Sequence, residues 1–78
     1  EVYILHSKSL NRYYVGQTQS LQDRILYHNS GYGKYTKKGI PWQVIWHQKV
    51  DDRSEAMKLE KKIKSRGAAR FLDDLKKN

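Results

Sequence analysis

The 78-residue chain has no cysteine, a single proline and only eight acidic residues, and no apolar run extends beyond a few positions. Without cysteine there are no disulfides, no thiolate zinc sites and no thiol nucleophile. The same absence fits a reducing compartment, and a cytoplasmic location is expected. A membrane-spanning helix needs about 20 consecutive apolar residues, so none is expected, and no secretory apolar stretch is visible. The shortage of acid has the largest consequence. Sixteen Lys and Arg face eight Asp and Glu, which leaves a formal charge of +8 and a preference for polyanions.

Aromatic residues make up 12% of the chain, with six Tyr and two Trp, more than a disordered basic tail carries. Neither a basic amphipathic helix with an aromatic face nor a lipidation motif is present, so no membrane partner is expected. Nucleic acid is the expected partner. The length allows one domain, residues 1–78. Such a chain buries only about 60% of its unfolded surface, so the core is small.

Val2-Tyr3-Ile4-Leu5-His6 and Arg12-Tyr13-Tyr14-Val15-Gly16 are β-prone and flank a turn-rich Ser7-Lys8-Ser9-Leu10-Asn11, the pattern of a β-hairpin. Ser20 with Asp23 opens a helix from about Leu21 to His28, closed by Asn29-Ser30-Gly31. Residues 29–41 read as a basic loop, and Trp42–Trp46 as a third strand. Asp52 with Glu55 opens a second helix that reaches about Arg66, with Gly67 as its stop. Ala68, Phe71, Leu72 and Leu75 repeat at helical spacing in a short final helix. The order ββαβαα places the chain in the α+β class, a small antiparallel sheet with helices packed on it.

Several side chains break these patterns. On the second helix, Ala56, Met57, Leu59 and Ile63 share one arc, and Glu60 projects inside it. A carboxylate facing the body of a protein is costly unless paired or bound to a metal. An i,i+4 pair with Lys64 accounts for it structurally, and a ligand role accounts for it functionally. Arg24 and His28 share a face of the first helix. A solvated helix side is their ordinary reading; a fork of donors beside a neutral imidazole would also suit a scissile phosphate. Tyr3 and Tyr14 sit within apolar strands, where packing is the plainer role, and Tyr13 should point away from Tyr14. The loop Gly31–Gly39 interleaves Tyr32, Lys34, Tyr35, Thr36, Lys37 and Lys38. Its lysines would bind phosphates and its tyrosines could stack on unpaired bases.

Together these residues resemble the GIY-YIG endonuclease domain, and in particular its small stand-alone bacterial members. The first motif is Val2-Tyr3-Ile4, and the second is Tyr14-Val15-Gly16, its tyrosine eleven positions after Tyr3. Arg24, His28 and Glu60 follow in family order, with Asn29-x-Gly31, Tyr35-Thr36, Pro41-Trp42 and Lys64 around them. The resemblance implies a three-stranded antiparallel sheet flanked by helices. It also implies hydrolysis of DNA phosphodiesters with one divalent cation, Mg²⁺ or Mn²⁺, in DNA repair, recombination or related processing, and no small-molecule cofactor. By position, Glu60 would hold the metal and Arg24 would stabilise charge developing on the phosphate. Tyr3 would orient or deprotonate the attacking water, with Tyr14 and His28 completing the hydrogen-bond network. The general base stays open among Tyr3, Tyr14 and His28. Lys64 joins the loop residues as an expected DNA contact. The five side chains Tyr3, Tyr14, Arg24, His28 and Glu60 are expected to line one concave surface. The chain departs from the family pattern at Glu1-Val2, which replace a Gly-Ile, and at Gln17, where some relatives carry lysine. It also has only the terminal Asn78 to match a later asparagine. A DNA-binding module of the same fold with little or no catalysis is the alternative, and a basic protein-interaction domain a third reading without a motif of its own. The small size suggests loose specificity or targeting by a protein partner.

Overall fold

Four consecutive apolar residues, Val2-Tyr3-Ile4-Leu5, cannot alternate between a dry face and a wet one. A computed structural model, which describes residues 1–34 and 36–77, makes them the middle of a sheet covered on both sides. Strand β1 (Val2–Ser7) lies between β2 (Arg12–Gln17) and β3 (Trp42–Gln48), antiparallel to each, in the order β2-β1-β3. Val2 and Ile4 are fully buried and pack with Ala56, Ile63 and Phe71 of helices α2 (Arg53–Arg66) and α3 (Ala68–Lys76). Tyr3 and Leu5 point the other way, with Trp42, Val44 and the Leu21 and Ile25 side chains of helix α1 (Leu21–Asn29). The α+β class and the ββαβαα order follow the sequence reading.

Strand β3 serves both layers through one irregularity. Its pairing with β1 slips between Ile4 and Leu5, so that Ile4 faces Trp46 while Leu5 faces Val44. One extra residue in an otherwise period-2 strand sends the side chains beyond it to the opposite face. Trp42 and Val44 therefore pack beneath α1, and Trp46 packs against Phe71 of α3, with ring centroids 5.1 Å apart.

The helix ends are where the capping boxes put them. Ser20 accepts from the Asp23 amide and Asp52 from the Glu55 amide. Gly67 adopts φ 92° between α2 and α3, a conformation that favours glycine. On α2 the buried arc is narrower than expected, because Ala56 and Ile63 are buried whereas Met57 is 58% exposed. Among the described residues no helix is long and apolar enough to cross a membrane.

Candidate active site

The pairing of β1 with β2 sets Tyr3 opposite Gly16 and Leu5 opposite Tyr14, which places both tyrosines on the α1 face of the sheet. Their rings lie 6.4 Å apart and nearly parallel, at 25°. Tyr13 pairs with His6 on the other face, with ring centroids 4.9 Å apart. Gly16 does more than end a motif. A Cβ on it would lie 2.6 Å from the Tyr3 hydroxyl, so the phenol crosses β2 through the gap that glycine leaves. Because β2 is an edge strand, this aims the hydroxyl toward the open edge of the sheet.

Helix α1 closes the face from above. His28 is 3% exposed, its ring centroid 4.7 Å from that of Tyr14 and its Nε2 3.2 Å from Tyr3 Oη. On the far side His28 Nδ1 is 3.3 Å from Thr36 Oγ1. Thr36 is held in turn, because its carbonyl accepts the Trp42 indole N–H at 2.6 Å. Asn29 pins the start of β3 by accepting from the Trp42 amide at 2.7 Å and donating to the Trp42 carbonyl at 3.1 Å. A buried chain thus runs from Tyr3 through His28 and Thr36 to Trp42. Thr36, expected as a DNA contact, is 4% exposed and sits behind His28 instead. A hydroxyl is as much a hydrogen-bond partner for a buried imidazole as for a phosphate, and composition does not tell the two apart.

Arg24 and Glu60 approach from opposite sides. Arg24 stands on α1, exposed, with its guanidinium 5.6 Å from the Tyr27 ring centroid. Glu60 stands on α2, which covers the other face of the sheet. The two do not share one hollow, as the sequence reading expected of the five side chains. Arg24 lines a hollow with Gln17 and Thr18, and Glu60 lines another with Gln17, Lys61 and Lys64. Gln17, half-buried at the C-terminal end of β2, borders both. The groups therefore meet around the open edge of the sheet. Glu60 is mostly covered, its side chain 20% exposed, and Lys64 Nζ donates to its Oε2 at 2.7 Å. Lys64, expected to contact DNA, is the partner that the structural reading of Glu60 required.

The charges converge on Tyr3. Burial, the Tyr14 phenol and the Glu60 carboxylate all hold its proton on, with burial the largest, and Arg24 works against them; the result is pushed up to about 12. Burial and then the Arg24 guanidinium lower the pKa of His28, which keeps the imidazole neutral near pH 7. The hydroxyl of Tyr3 is thus bonded to a neutral imidazole and feels both the Arg24 cation and the Glu60 carboxylate.

The loop residues fall into separate groups. Tyr32 is 82% exposed, and Lys34, Lys37 and Lys38 are exposed, the last two in a short 3₁₀ turn, Lys37–Gly39. Tyr35 and Asn78 lie outside the described residues. Among those described, no group of three or more His, Asp or Glu side chains could hold a metal ion.

A paired set of tyrosines over a strand glycine, an Arg–His helix face and a carboxylate on a later helix make up the candidate site. The GIY-YIG catalytic domain family matches residues 1–72, and the chain belongs to that family of nucleases, whose domains act on DNA. A UPF0213 protein of Staphylococcus saprophyticus is 38% identical over 65 residues, covering 82% of this chain and 78% of that protein. A UPF0213 protein of Pediococcus pentosaceus is 39% identical, covering 87% and 73%. One from Syntrophus aciditrophicus is 38% identical, covering 99% and 90%. No solved structure matches the chain.

Proposed function

We propose that the chain is a DNA endonuclease that hydrolyses phosphodiester bonds with the help of one divalent cation and serves DNA repair, recombination or related processing. The observation that carries this reading is the Tyr3 hydroxyl, bonded to a neutral buried His28 and subject to both Arg24 and Glu60.

With both groups neutral, the Tyr3 O–H donates to His28 Nε2, and His28 Nδ1–H donates to Thr36 Oγ1. When water attacks the phosphorus, its proton passes to Tyr3 Oη as the Tyr3 proton passes to Nε2. The phenol never has to become a free phenolate, which a pKa near 12 would oppose at neutral pH. His28 holds the proton as imidazolium until it leaves again through the Tyr3 hydroxyl, and Arg24, by lowering the pKa of His28, favours that release. Arg24 also supplies donors where negative charge develops on the phosphate oxygens. Tyr14 packs against both Tyr3 and His28 and keeps their rings in register.

Glu60 would hold the cation. A small hard cation that keeps most of its waters and takes one or two carboxylates plus substrate phosphate oxygens fits a single carboxylate; one that needs an all-protein cage does not. Mg²⁺ or Mn²⁺ therefore suits the residues present. Once bound, it supplies positive charge against the leaving oxygen. Tyr32, Lys34, Lys37 and Lys38 would bind DNA outside the site.

Lys64 seated on Glu60 favours one competing reading, a DNA-binding module in which the carboxylate only braces the surface of α2. Incubation with supercoiled plasmid, branched and single-stranded DNA in Mg²⁺ or Mn²⁺ separates the two. Cleavage that stops on chelation is expected. DNA binding without cleavage of any of the three would establish the binding module instead.

A further inference from the structure

A second basic surface opens where β2 meets the junction of α2 and α3. This cleft of about 790 Å³ is lined by Arg12, Lys64, Arg66 and Arg70 together with Tyr13 and Tyr14, and among the described residues no acidic one lines it. The hollow beside Arg24 differs, because Glu1, Asp51 and Asp52 line it. Two of the cleft's cations are held, Lys64 by Glu60 at 2.7 Å and Arg66 by Asp74 at 2.8 Å. Among the described residues Arg12 and Arg70 form no salt bridge, and both are exposed.

We propose that this cleft binds an unpaired DNA strand flanking the scissile phosphate, with Arg12 and Arg70 on its phosphates and Tyr13 and Tyr14 against its bases. The inference rests on the nuclease reading and adds to it a substrate class, DNA with a single-stranded flank. Three features select this occupant. The cleft is continuous with the site, since Tyr14 touches His28 and Lys64 touches Glu60. Its charge is of one sign. Tyr13 and Tyr14 are 41% and 36% exposed, and aromatic rings beside cations are what a single strand engages, because its base faces are free where those of a duplex are stacked.

The test measures binding without turnover, on Glu60→Gln protein in chelator. Fluorescence anisotropy compares a duplex carrying a single-stranded flap with a blunt duplex of the same length. The change Arg12→Ala with Arg70→Ala should weaken flap binding by at least about tenfold, since one charge-assisted hydrogen bond alone is worth that much and two are lost. The salt slope on flap DNA should fall by about 1.4 for two lost single-strand phosphate contacts. Blunt-duplex affinity should change much less. Lys49→Ala with Lys62→Ala removes the same charge from residues that do not line the cleft and should not discriminate between the two DNAs. Equal losses on both DNAs, or no loss on either, would overturn the assignment. Cleavage plays no part in this readout, so failure here leaves the nuclease reading standing, and failure of the cleavage assay leaves the cleft standing.

Discussion

The Tyr3 hydroxyl lies where a side chain on Gly16 would be, 2.6 Å from the position of the missing Cβ. A motif tyrosine and a motif glycine, thirteen positions apart in sequence, are thus one structural unit. The glycine is the opening through which the phenol reaches the sheet edge.

Gly16→Ala should therefore damage site and core together. The added methyl group must push the ring of Tyr3 aside, at a cost of about 1–3 kcal/mol typical of overpacked cores. Displacement of a reacting group by about 1 Å costs on the order of 10²-fold in rate. Thermal melting and a nicking assay on the variant check both figures. A normal rate with an unchanged melting point would mean that the phenol does not need that gap.

Thr36 is a positioning residue for His28. Thr36→Val keeps the shape but removes the acceptor that fixes Nδ1–H, so the imidazole loses its preference for one tautomer. The ¹⁵N chemical shifts of His28 should move toward a tautomer mixture, and Thr36→Ser should restore them. In the parent protein the acid limb of the rate–pH profile should lie below pH 6.5, the ordinary histidine value, since burial and Arg24 lower the pKa of His28. A limb above 6.5 would contradict the assignment.

Stability should decline at both ends of the pH scale. His28 binds its proton less readily when folded, so stability falls as pH drops below about 6.5. Tyr3 keeps its proton up to about 12 in the fold but only to about 10 when unfolded. Its contribution is complete below pH 10 and is lost as pH rises toward 12, by on the order of 2–3 kcal/mol. Urea midpoints measured across these ranges should show both losses, and Tyr3→Phe should blunt only the alkaline one.

Lys34, Lys37 and Lys38 should bind phosphates rather than read bases, because the loop offers cations and few bidentate base readers. Changing all three to alanine should reduce the salt slope of duplex binding by roughly 2–3 units. An unchanged slope would move the duplex path elsewhere.

Most of the fold was legible because it is written locally. The hairpin, both capping boxes and Gly67 depend on residues within a few positions of one another, and the elements end within about two residues of their expected places. What stayed hidden depends on distant pairing. The bulge that sends Trp42 and Trp46 to opposite layers arises only when β3 meets β1. Met57 shares the arc of α2 but overhangs its edge, where it is 58% exposed. In the site, Tyr3, Tyr14, Arg24, His28 and Glu60 were visible as a set through their spacing, and Tyr3, Tyr14 and His28 do pack together. Thr36 was misplaced because its role comes from the way the loop folds back over His28. Its one sequence signal is the neighbouring glycine, Gly33, which lies too close to Thr36 to carry a side chain. Gln17 was noticed only as a departure from the family, although it borders the hollows of both Arg24 and Glu60.

Glu60→Gln tests the central claim most directly, because it keeps the size and helix propensity of the side chain and removes the charge that a hard cation requires. Nicking rate, DNA affinity and melting temperature should be measured on one sample. Metal ligation predicts that nicking falls by orders of magnitude while the fold persists and DNA binding holds or tightens. Full nicking with a stability loss of only about 0.2–0.5 kcal/mol, the worth of an i,i+4 pair with Lys64, would contradict it.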